Sequence, residues 1–125
     1  MDILNMTALE IGAAIKEKKI TAVDAVKAVL DNIVKTDWAV NAYITVNGDE
    51  ALKRAEEVQA KIDAGELTGP LAGVPFAIKD NICTKGVKTS CASKILGDFT
   101  PVYNATVVEK LENEGAIILG KLNMD

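Results

Sequence analysis

The residue types able to do chemistry converge on one short run of this chain. Val74-Pro75-Phe76-Ala77-Ile78 is apolar and stops abruptly at Lys79-Asp80-Asn81, which sets an amine, a carboxylate and an amide side by side. An ammonium held against apolar walls loses hydration; this favours the neutral amine, and a neutral amine can accept a proton near neutral pH. Lys79 is therefore the candidate proton carrier. The chain contains no His, so its own residues cannot pass protons through imidazole in a Ser-His-Asp or Cys-His arrangement, and a conventional zinc site is disfavoured. On these residues alone, Lys79 can equally reach out to water from a strand end and pair with Asp80. Asp80 and Asn81 can hold the ammonium or the pocket backbone by hydrogen bonds, or be ordinary polar residues at the end of a strand.

An amine so placed needs elements to carry it. The run before Lys79 is apolar on both alternating faces, as a strand covered on both sides would be, and Pro75 puts the start of that strand near itself because it cannot donate to a ladder. Ligands of α/β sheets gather at such carboxyl ends. Upstream, Thr7 with Glu10 and Thr21 with Asp24 have the three-residue spacing of a capping box, so two helices start there. Ala22, Val26, Val29, Leu30 and Ile33 recur at helical spacing, and this second helix is expected to end near Thr36. Val40 to Val46 alternates as a strand, Asn47-Gly48 signals a turn, and Asp49 opens a third helix that Gly65 closes. Residues 82–101 read as a long loop. Asn104 is the expected cap of a fourth helix to about Asn113, and Gly115 separates it from the buried-looking strand Ala116-Ile117-Ile118-Leu119.

The 125 residues are 49% apolar, 26% charged and 4% aromatic, too apolar for disorder and too poor in Cys for a disulfide scaffold. They read as one α/β unit over 1–125, with a helical start at 1–37 and an α/β part at 38–125. A net charge of −4 and a pI near 4.9 argue against a dedicated nucleic-acid binder, which needs a basic face. Lys79, Lys85, Lys88 and Lys94 read as a solvated stretch. No apolar run approaches the roughly 20 residues of a membrane helix, and the start lacks the basic flank and apolar core of a secretory signal, so a cytoplasmic setting without a membrane partner is expected. There Cys83 and Cys91 are expected to be free thiols. The last strand is followed only by Gly120-Lys121-Leu122-Asn123-Met124-Asp125, with no visible element to cover it, so the unit reads as incomplete.

The stretch Gly69-Pro70-Leu71-Ala72-Gly73-Val74-Pro75-Phe76-Ala77-Ile78-Lys79-Asp80-Asn81-Ile82 resembles the lysine-bearing segment of the amidase signature family. Thr89 to Leu96, Tyr103 to Val108 and Gly115 to Asp125 continue the likeness in order. The resemblance implies the N-terminal part of the amidase signature fold, a mixed β-sheet covered by helices. It also implies a Ser, cis-Ser, Lys triad, with Lys79 on the lysine position. In the family both serines and the oxyanion donors lie in a Gly/Ser-rich segment beyond the Asn-Met-Asp stretch. Ser90 and Ser93 do not match those positions, and these residues alone are expected to be inactive. Because the likeness extends over the helical start, it points to the branch that hydrolyses glutamine and passes ammonia to a partner converting Glu-tRNA(Gln) to Gln-tRNA(Gln). That branch works with two other subunits, one tRNA-binding and one small and accessory; the assembled complex uses ATP and Mg, and this chain is expected to bind no cofactor or metal itself. A free-standing amidase acting on another acyl amide is the alternative. A noncatalytic α/β piece that pairs its strand edges with another copy is a further one.

Overall fold

A computed structural model describes residues 1–125. A short 3-10 turn at Ile3–Asn5 leads into α1 (Ala8–Lys16) and α2 (Ala22–Val40), and both capping boxes form. The Thr7 hydroxyl accepts from the Glu10 N–H at 3.3 Å while the Glu10 carboxylate accepts from the Thr7 N–H at 2.7 Å; Thr21 and Asp24 repeat the exchange at 3.0 and 2.9 Å. Helix α2 runs four residues past the end expected at Thr36. It stops where Asn41 turns left-handed (φ 54°), and the Asp37 carboxylate gathers the N–H groups of Ala42 and Tyr43. The alternating segment after it is accordingly shortened to β1 (Tyr43–Val46).

Asn47 and Gly48 then turn the chain into α3 (Gly48–Asp63), closed by Gly65 at φ 77°. The lysine-bearing strand is β2 (Pro75–Lys79), as its composition predicts, although only Ile78 in it is fully buried. The fourth helix, α4 (Thr106–Asn113), begins without the expected cap. Asn104 instead accepts from the Lys85 N–H at 2.7 Å, which ties the long loop to the helix entrance. The last strand, β3 (Ile117–Leu122), extends three residues beyond the expected Leu119.

The three strands form one mixed sheet in the order β1-β3-β2, with β3 antiparallel to β1 and parallel to β2. The strand expected to lack cover is thus the central one. Ile117 and Leu119 join Ile11, Ile15, Ala22, Ala25, Val26, Ala51, Ala55, Val58 and Val74 in one apolar core, so helices earlier in the chain supply the cover. The glycines make this packing possible. A Cβ on Gly120 would sit 2.0 Å from the Thr45 carbonyl oxygen, so β1 can lie against β3 only where the side chain is absent. Gly12 lets α1 meet the connection before β2 in the same way, since a Cβ there would lie 2.0 Å from the Pro70 oxygen. No helix is long and apolar enough to cross a membrane. Cys83 and Cys91 are free thiols, as expected.

Candidate active site

In the parallel ladder Ile78 sits beside Lys121 and Lys79 beside Leu122, so the end of β2 is fixed against the central strand. Just past it, the Asp80 N–H donates to the Leu122 oxygen at 3.0 Å, which prolongs the ladder by one bond. Lys79 therefore projects from a held piece of backbone. Its side chain is 38% exposed, and its Nζ donates to an Asp125 carboxylate oxygen at 2.7 Å. The amine is not enclosed by apolar walls; it reaches out from the strand end, but its partner is Asp125, 46 positions along the chain, rather than Asp80. The hydrogen bond and charge of Lys79 hold the Asp125 carboxyl below its usual value. Lys79 lines none of the cavities, so these residues present it at an open surface.

Asp80 turns inward and is completely buried. Its Oδ2 accepts from the Ser90 hydroxyl at 2.6 Å, the Ser90 N–H at 3.1 Å and the Ala92 N–H at 3.2 Å, whereas its Oδ1 is buried without a partner. It does not hold the Lys79 ammonium; it holds the backbone of the loop at 90–92. The loop needs the support, because Cys91 and Ala92 both adopt left-handed conformations (φ 52° and 53°) that cost non-glycine residues energy. Asn81 is exposed and makes no side-chain hydrogen bond. Ser90 spends its hydroxyl on Asp80 and is only 7% exposed, and the Ser93 hydroxyl accepts from the Ile95 N–H at 3.2 Å. Both serines serve the loop, and neither approaches Lys79 by a hydrogen bond.

The lysine that is buried is Lys121. Its exposure is zero, and its ammonium donates to the Ile82 carbonyl (2.5 Å), the Thr84 hydroxyl (2.8 Å) and the Thr89 hydroxyl (3.0 Å). Loss of hydration pushes its pKa down, opposed by the nearby negative charge of Asp80. Ending the last strand at Leu119 leaves Lys121 outside it, whereas β3 runs to Leu122. Its only sequence signal is the return to an apolar residue, Leu122, immediately after it, which marks Lys121 as an interior strand position.

The sequence profile of the Amidase family matches residues 24–125. The whole chain is 52% identical to the A-type subunit of glutamyl-tRNA(Gln) amidotransferase from Agathobacter rectalis, and 54% identical to the second A-type subunit of the same enzyme from Clostridium acetobutylicum. It spans about a quarter of these relatives, 25% and 26% of their lengths. Among solved structures, native peptide amidase from Stenotrophomonas maltophilia superposes with a TM-score of 0.88 and 33% identity, covering 95% of this chain and 25% of that one. A bacterial aryl acylamidase of the amidase signature family superposes at 0.86 with 30% identity, covering 94% of this chain and 25% of that one. A profile match over most of the chain, joined to this α/β architecture with its lysine at the carboxyl end of β2, establishes that the chain belongs to the amidase family.

Proposed function

We propose that the polypeptide carrying this chain hydrolyses the side-chain amide of glutamine and delivers the ammonia to a partner that converts Glu-tRNA(Gln) to Gln-tRNA(Gln). The observation that carries this reading is identity above one half, over the entire chain including its helical start, with relatives named as the A-type component of that amidotransferase. Its partners are two further subunits, one tRNA-binding and one small and accessory, and ATP and Mg serve the assembled complex rather than this chain.

Lys79 takes the proton in this scheme. As a neutral amine it accepts the proton of a bridging serine, which relays that of a nucleophilic serine attacking the amide carbon; the relayed proton returns to the amide nitrogen as the C–N bond breaks, ammonia leaves, and water later cleaves the acyl-enzyme to glutamate and free serine. An ammonium donating to Asp125 has no lone pair to offer, so in this scheme Lys79 must first lose a proton. The 125 residues contain nothing at the positions of the two serines and are inactive by themselves, because triad members act as a unit.

The test uses the polypeptide extended to the length of its relatives, assayed for glutamine hydrolysis with and without the two partner subunits. Turnover of glutamine that rises when the partners are added is expected; strong turnover of unrelated amides with none of glutamine defeats the proposal. Lys79→Met keeps the apolar stem and is expected to abolish acyl-enzyme formation while the thermal unfolding curve stays cooperative. Unchanged turnover would remove Lys79 from the mechanism. The second reading, a free-standing amidase for another acyl amide, is favoured by the peptide amidase superposition and predicts that adding the partners leaves the rate unaffected.

A further inference from the structure

We infer that Lys121, with Asp80 as its counter-charge, is a positioning residue for Lys79, an inference that rests on Lys79 being the proton acceptor proposed above. All three ammonium protons of Lys121 are spent on the segment that follows Lys79: on the Ile82 carbonyl, the Thr84 hydroxyl and the Thr89 hydroxyl. Each of those hydroxyls in turn donates to a carbonyl of the same segment, Thr84 to Ile82 at 3.2 Å and Thr89 to Val87 at 3.1 Å. From the other side, Asp80 gathers Ser90 and Ala92 through its carboxylate and Cys91 through its backbone oxygen at 3.1 Å. The residues immediately after the strand end are therefore clamped by one buried cation and one buried anion.

The cost of this arrangement argues for its purpose. A fully buried ammonium is expensive even when hydrogen-bonded, and an apolar residue of similar length would fill the same space in β3 without that cost. What an apolar residue cannot supply is three directed donors. The segment they hold has no helix or strand between Lys79 and Thr106, and backbone at Cys91 and Ala92 is strained, so nothing regular would keep it in one shape. A side chain at the mouth of such a segment is only as well placed as the segment itself, and small misplacements of a catalytic group lower rates steeply.

The test compares the parent, Lys121→Met, and the double variant Thr84→Val/Thr89→Val, all in the polypeptide extended to the length of its relatives. Two readouts are taken: glutamine hydrolysis, and the rate at which a water-soluble N-hydroxysuccinimide ester acylates Lys79 relative to exposed Lys35, read by peptide mass spectrometry. Lys121→Met is expected to lower kcat by about tenfold or more with KM within about twofold, and to change the relative labelling of Lys79 while unfolding stays cooperative. The double variant keeps the charge, removes two of its three acceptors, and is expected to shift both readouts in the same direction. It also decides the matter if Lys121→Met does not fold. Relative labelling of Lys79 identical to the parent in every folded variant overturns the inference. Should the parent hydrolyse no amide, the glutamine reading falls and the labelling comparison still decides whether Lys121 positions Lys79.

Discussion

The two lysines flanking the β2–β3 ladder have opposite environments, and the sequence alone decides neither. The apolar run before Lys79 is compatible with enclosure or with reaching to water, and its side chain is 38% exposed with the ammonium against Asp125. Lys121 falls outside the strand expected to end at Leu119, yet it is fully buried. Residue type and its neighbours report which strand a lysine ends; they do not report which loop folds over it, because Ile82, Thr84 and Thr89 lie 32 to 39 positions away. The burial has a consequence for stability. Lys121 has a native pKa below its ordinary value of 10.5, so the unfolded chain holds this proton more tightly than the native one. The destabilisation is fully present below the lowered native pKa and is relieved as the pH rises through it towards 10.5. Denaturant unfolding of the parent should therefore gain stability relative to Lys121→Met as the pH rises through the lowered native value towards 10.5; a constant difference would show that the native and unfolded proton affinities are equal.

At the scale of elements, what could be read in advance was local. Both capping boxes are contacts three residues apart, so the sequence contains all of the information they require, and α1 and α2 start where Thr7 and Thr21 predict. Replacing Thr21 by Ala should cost about 1 kcal/mol in urea unfolding, since the Asp24 N–H loses its acceptor. Asp24 titrates below the usual aspartate value because the Thr21 N–H bonds its carboxylate. Its contribution is thus present above the ordinary aspartate range and lost as the pH falls through the lowered native value; Asp24→Asn should flatten the acid limb of stability, and an acid limb equal to the parent's would count against the box. Ends were less legible than starts. Helix α2 overran Thr36 because Asp37 and Asn41 stop it through side-chain and left-handed backbone geometry, and Asn104 gave up a cap to bond Lys85. Strand contact brings its own prediction. Gly120→Ala must displace the Thr45 backbone, so a loss of about 1–3 kcal/mol or more and faster amide exchange in β1 are expected.

For the whole molecule, the α/β class and the family of the chain were legible, because apolar periodicity and four ordered segments around Lys79 survive in one dimension. The central place of β3 was not, since its neighbours β1 and β2 come from segments separated by α3, and only the fold shows that earlier helices cover it. The same arrangement gives the first helix an office its sequence does not advertise. With Gly12 pressed on Pro70 and the Gly73 N–H bonded to the Gly115 oxygen at 2.9 Å, the turn entering β2 is wedged between the start of the chain and the approach to its last strand. Helix α1 behaves as a shim of fixed thickness. An engineer who shaved or padded that face would tilt the seat of Lys79 without touching a single atom near it.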